Sequence, residues 1–275
     1  MLAWNRYGKS RIRLVKVDRS SEPHRLIDLT VDVQLEGAFD RVYTDGDNAA
    51  CLPTDTMKNT VYALARRHPI DSVEGFLVRL ADHFSAKPGV SLARVSATEQ
   101  PWARLSGHAF VHASAEQWTA VATKATTKSG GTLEIVSGIT NLVLLKTTDS
   151  AFAGFPRDEY TTLPETRDRI LATAVTATWR YRPGTTDFAA RDRVRTAIVD
   201  TFAAHMSESV QHTLDAMGRA ALAAAPDAVE ITLTLPNRHH LLVDLKPFGL
   251  DNPNEIFVAT DQPYGLIEAT LRRQA

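Results

Sequence analysis

Val229-Glu230-Ile231-Thr232-Leu233-Thr234-Leu235 runs straight into Pro236-Asn237-Arg238-His239-His240. The first seven residues alternate apolar and polar, the period-two pattern of a strand with one buried face. Proline then breaks the strand and presents an amide and two imidazoles. Working outward, a final extended segment is expected over Glu255 to Arg272, so the whole stretch Ala228 to Leu245 and its successor close the chain as strands. Before them come a helix from about Thr186 to His205, with Phe188, Val194, Ile198 and Phe202 on its buried side, and a second helix capped by Ser207. Strands at Leu133 to Thr147 and Arg169 to Tyr181 precede those helices. The first half shows the same order. Strands are expected at Arg11 to Val17 and Leu26 to Glu36, helices at Asp55 to Arg66 and Ser72 to Phe84, then extended segments at Val90 to Leu105 and Ala109 to Thr126. Ser129-Gly130-Gly131 reads as a flexible break between halves. Strand, strand, helix, helix, strand, strand, twice over, implies an α+β fold of two duplicated units, 1–130 and 131–275, with antiparallel sheets and helices on one face. Such sheets leave edges that an oligomer would cover.

Composition narrows the function. With 31 basic against 32 acidic residues the chain carries a net charge of −1, which offers no electrostatic footprint for nucleic acid or an anionic membrane. The single cysteine, Cys51, permits no internal disulfide and reads as a small buried hydrophobe. No apolar run approaches the roughly 20 residues that span a bilayer. The N-terminal residues lack a secretory core, and Leu271-Arg272-Arg273-Gln274-Ala275 is not a peroxisomal address, so the cytoplasm is the expected location. Neither Cys-x-x-Cys nor His-Glu-x-x-His spacing occurs, and no glycine-rich phosphate loop is present. His239 and His240 are neighbours on a strand and should face opposite ways, which argues against a shared metal ion.

Several ordered blocks carry a resemblance. They are Arg6-Tyr7-Gly8-Lys9, Thr54-Asp55-Thr56-Met57-Lys58-Asn59-Thr60, Gly154-Phe155-Pro156-Arg157-Asp158-Glu159-Tyr160, Thr166-Arg167-Asp168-Arg169, Ser209-Val210-Gln211, Leu235-Pro236-Asn237-Arg238-His239 and Pro263-Tyr264-Gly265-Leu266. Together they resemble the urate oxidase (uricase) family of the tunnelling fold. The stretch from about Ser85 to Gly131 is less diagnostic, and the chain stops soon after Arg273, where some family members carry a longer tail.

The resemblance implies oxidation of urate by O2 and water to 5-hydroxyisourate and hydrogen peroxide, without metal or organic cofactor. It implies a homotetramer whose sheets close a barrel-like tunnel, with active sites between subunits. It assigns Lys9, Thr54 and His239 to a proton relay. For substrate binding it points to Thr54, Asp55, Phe152, Arg169, Val210, Gln211 and Asn237. The chemistry is apt: a guanidinium grips a flat anion bidentately and balances its charge. An amide offers a donor and an acceptor together, and an aromatic ring covers one face. A hydroxyl alone is too weak a base near neutral pH, but a neutral lysine could accept its proton. Asn237 and Thr54 would hold oxygen or water above the ring, and Asp55 would orient the Thr54 backbone. Taken singly, Arg169 and Gln211 would read as surface residues, Phe152 as core and Thr54 as a helix cap. A purine-binding protein without catalysis, or a pterin-acting enzyme on the same fold, are the other readings. The first would need Arg169 and Gln211 but not the relay. Some of the second use zinc, for which this chain lacks the ligand spacing.

Overall fold

The computed structural model describes residues 1–20, 22–112, 115–127, 130–260 and 262–273. The elements follow in chain order: β1 (Tyr7–Asp18), β2 (Arg25–Gly37), α1 (Asp40–Thr44), α2 (Thr54–Arg67), α3 (Val73–Ser85), β3 (Val90–Glu99), β4 (Trp102–Ser106), β5 (Ala109–His112), β6 (Gln117–Thr127), β7 (Gly130–Lys146), β8 (Leu171–Tyr181), α4 (Ala190–Ala204), α5 (Val210–Ala224), β9 (Ala228–Pro236), β10 (His239–Leu242), β11 (Phe257–Thr260) and β12 (Leu266–Arg272). Two compact units emerge: Met1–Gly138 with Trp179–Ala189, and Ile139–Thr178 with Ala190–Ala275.

In the first unit the strand order is β1-β2-β3-β6, and these three pairings are antiparallel. The alternation in β2 decides which face is covered. Leu29, Val31, Val33 and Leu35 are fully buried, while Thr30, Asp32 and Gln34 are not. They join Met57 and Val61 of α2 and Phe76, Leu77, Leu80 and Phe84 of α3 in one core. Burying a side chain of this size is worth about 1.5–3 kcal/mol against exposure, so this sheet–helix seam is a major stabilising contact of the unit. Ser72 caps α3 by accepting from the Gly75 N–H at 3.1 Å.

In the second unit, which takes β7 from Ile139 onward and β8 up to Thr178, the order is β7-β8-β9-β12, with β12 antiparallel to β9. The helices α4 and α5 pack together, and α5 lies on β9 and β12. Val175, Ile198, Met217 and Leu233 are fully buried or nearly so. The α+β class with antiparallel pairing is thus as expected. Among the described residues β1 pairs only with β2 and β12 only with β9, and one chain does not close a barrel-like tunnel.

Several expected elements are broken by the structure. Val90 to Leu105 divides at Gln100-Pro101, and β4 forms a separate hairpin with β5. Ala228 to Leu245 divides after Pro236, and β10 pairs with β11 outside the main sheet. Proline has no N–H for a ladder, which accounts for both breaks. The helix expected from Thr186 starts only at Ala190; Asp187 instead accepts from the Ala189 N–H at 2.9 Å in a local turn. Ser209, rather than Ser207, caps α5, accepting from the His212 N–H at 3.1 Å. Ser207 is fully buried and donates to the Ser209 carbonyl, so it is not available as the cap. Of the expected flexible break, Ser129 lies outside the described residues, and Gly130 and Gly131 belong to β7.

Candidate active site

In the second unit, a cavity of about 650 Å³ is lined by Phe152, Arg169, Asn237 and His239, among others. Four of the expected residues, distant in sequence, therefore meet. Local structure explains how. Phe152 exchanges both backbone hydrogen bonds with Thr166, at 2.8 and 3.0 Å, and Ala151 donates to the Ser207 carbonyl at 2.7 Å. That pins the segment carrying the phenyl ring. Phe155 stacks on Phe152 with centroids 4.9 Å apart and planes 15° apart, stiffening the ring further. Arg169 sits two residues before β8, and the Asp168 carbonyl just behind it accepts from the Thr166 hydroxyl at 2.7 Å.

Asn237 follows the proline break. Its N–H donates to the Gly265 carbonyl at 2.8 Å, and the Arg238 N–H donates to the Ala172 carbonyl at 2.8 Å. His239 opens β10, opposite Thr260 of β11. Sequence reasoning missed the brace of this hairpin, Asn252. Its amide nitrogen donates to the carbonyls of Val243 and Ile256, at 2.9 and 2.8 Å. Its amide oxygen accepts from the N–H groups of Glu255 and Ile256, at 3.0 and 3.1 Å. The available signal was the turn-prone run Asp251-Asn252-Pro253-Asn254.

The Arg169 guanidinium lies 5.2 Å from the Phe152 ring centroid. Its Nε is buried and has no hydrogen-bond partner, and among the described residues Arg169 forms no ion pair. Burial pushes the guanidinium below its ordinary value, although an arginine stays charged at neutral pH. The nearby carboxylates are engaged elsewhere: Glu165 accepts from the Gly154 N–H at 3.2 Å, and Asp168 from the Thr148 hydroxyl at 2.9 Å. A desolvated cation with an unfilled donor, beside an aromatic face, is a receptor for a planar anion.

Val210 and Gln211 are the first two residues of α5, Val210 buried and Gln211 exposed; neither lines this cavity. As first-turn residues, their N–H groups have no acceptor within the helix. Both His239 and His240 line the cavity, contrary to the opposite-facing geometry expected of a regular strand.

Lys9, Thr54 and Asp55 lie in the first unit. Lys9 is in β1 beside a register shift that ends at Ile12, where Arg11 has a φ of 57° and its N–H donates to Asp32 at 2.8 Å. Gly8 is required next to it: a Cβ there would stand 1.9 Å from the Val33 carbonyl oxygen. Thr54 is the first helical residue of α2 and not its cap. Pro53 takes the cap position at φ −56°, and no side chain caps the helix. Asp55 follows Thr54 as the second residue of the helix. Its carboxylate accepts from the Lys58 ammonium and, at 2.9 Å, from the Asn59 amide. Those bonds, Lys58 first, hold the carboxyl below its usual value, and the charge of Lys9 adds to the effect.

The uricase family model matches residues 5–127 and 135–268. A uricase of Arthrobacter globiformis is 48% identical over 276 residues, covering 100% of this chain and 90% of the relative. A uricase of Dictyostelium discoideum is 36% identical, covering 98% of this chain and 96% of the relative. The crystal structure of the Arthrobacter globiformis uricase superposes with a TM-score of 0.95, covering 100% of this chain and 95% of that one. With the matched blocks spanning nearly its full length, the chain belongs to the uricase family.

Proposed function

We propose that this chain oxidises urate with O2 and water to 5-hydroxyisourate and hydrogen peroxide, and that the cavity of the second unit receives the urate ring. The supporting observation is Arg169: a half-buried guanidinium with an unpaired Nε, set against the Phe152 ring. An anionic, flat substrate would fill that donor and lie along the ring. Asn237 and His239, which line the same cavity, would meet oxygen or water and the relayed proton. Val210 and Gln211 would reach the far edge of the ring through a backbone N–H and an amide.

Urate anion is electron-rich and itself reduces oxygen, so the protein's work is deprotonation, orientation and exclusion of water. Lys9 and Thr54 would move the proton, with Asp55 beside them. We assign these three to a neighbouring chain of a homotetramer, as the family resemblance implies. The family membership and the co-location of four expected residues in one cavity support this reading. Purified protein mixed with urate in air should remove its ultraviolet absorbance and release one peroxide per urate. Tight urate binding without peroxide would instead make the chain a purine binder.

A further inference from the structure

We propose that Glu22, His24 and His108, in the first unit, form a binding site for a divalent transition ion of the zinc class. One ligand atom from each residue lies within 4.8 Å of the other two. Glu22 Oε1 is 3.3 Å from His24 Nε2, and Glu22 Oε2 is 3.3 Å from His108 Nε2. Bonds of about 2.0–2.1 Å from a tetrahedral ion to imidazole and carboxylate put neighbouring ligand atoms about 3.3–3.4 Å apart. Because the two contacts use different oxygens of Glu22, whichever oxygen binds gives one edge of the ligand triangle the required length. The other two edges lie within 4.8 Å, and His108 and Glu22, 54% and 72% exposed, have room to turn and close them. The imidazole rings stand with centroids 4.2 Å apart and planes at 35°, so both Nε2 atoms flank the same carboxylate.

The backbone at this cluster is already fixed by another residue. Arg104 donates from Nη2 to the His24 carbonyl and from Nη1 to the Gly107 carbonyl. One guanidinium therefore holds the segment before β2 beside the β4–β5 turn, and with them both histidines. A site whose ligands are held in place beforehand loses less entropy on binding. Two imidazoles and one carboxylate suit zinc, copper or nickel; calcium and magnesium prefer oxygen ligands. Three protein ligands leave one position for water. The ion would act as a clamp, tying the β1–β2 turn to the β4–β5 hairpin.

The test uses the full protein, stripped with a chelator and dialysed, then titrated with Zn2+ by calorimetry and with Co2+ by visible absorption. One ion per chain is expected, with the intense bands of tetrahedral cobalt and a rise in melting temperature on zinc addition. His108→Ala and Glu22→Gln should each weaken zinc binding by about tenfold or more and abolish the thermal shift. Circular dichroism checks that both variants are folded. Cys51→Ser should bind as the parent does. Absence of saturable zinc binding would overturn the proposal. Binding unchanged in both His108→Ala and Glu22→Gln would overturn it equally, by placing the ion elsewhere.

Discussion

At the scale of the residue, Arg169 is the test of the binding geometry. Lysine in its place keeps the charge but is a point donor without the planar fork. Arg169→Lys should raise the urate dissociation constant about ten- to a hundredfold, the equivalent of one lost charge-assisted hydrogen bond at about 1.5–3 kcal/mol. Unchanged binding in equilibrium dialysis would put Arg169 outside the site. Lys9 and Thr54 are expected to act in one proton path. Lys9→Met and Thr54→Ala should each lower kcat strongly with little change in binding, and the double variant should be scarcely worse than the worse single one. Multiplicative losses would show two independent roles. Tyr7 gives a prediction about pH. Burial, the largest effect, and the neighbouring Cys51 push its hydroxyl from 10.0 up to about 12. The folded state then holds a proton that the unfolded chain releases, so this stabilisation is complete below pH 10 and is lost as pH rises through about 12. Tyr7→Phe should flatten that part of the stability-against-pH curve, measured by denaturant unfolding, and also lose the hydrogen bond that the Leu52 N–H donates to Tyr7 at 2.8 Å. A curve of unchanged slope would contradict the assignment.

At the scale of the element, the long amphipathic segments were legible and the short ones were not. The alternation in β2 and the helical stripe Val73, Phe76, Leu77, Leu80 and Phe84 each report burial against a large partner surface, and both elements formed with the expected faces. The hairpins β4–β5 and β10–β11 carry no such stripe; their strands are mostly exposed and are set off by proline. The site shows the same division. Arg169, Asn237 and His239 stand in dense motif blocks, Phe152 lies two residues before another, and the four meet in one cavity, whereas Asn252 acts only through backbone groups brought together by folding. Nor could spacing reveal the trio of Glu22, His24 and His108, whose members come from two separate turns. Asn252→Ala removes four hydrogen bonds at once. It should loosen the β10–β11 loop, seen as faster amide exchange of Val243, Glu255 and Ile256, with the strands of the main sheet unaffected. Unaltered exchange there would mean that the strand pairing alone holds the hairpin carrying His239.

At the scale of the whole molecule, the repeated order of strands and helices makes two units, each with a hairpin inserted before its last main-sheet strand. No helix among the described residues is long and apolar enough to cross a membrane. Turnover is expected to need no metal: protein treated with a strong chelator should still generate peroxide from urate, and activity that vanished and returned with a metal salt would overturn this. The proposed oxidising centre is built from two chains, Thr54 from one and Arg169 from its neighbour. Thr54→Ala and Arg169→Ala should each be nearly inactive alone. Mixed under conditions that let subunits exchange, they form some interfaces in which both intact residues meet, and urate oxidation should reappear. If each chain builds its own centre, every site in the mixture keeps one lesion. No recovery of activity, with subunit exchange demonstrated independently, would contradict the account.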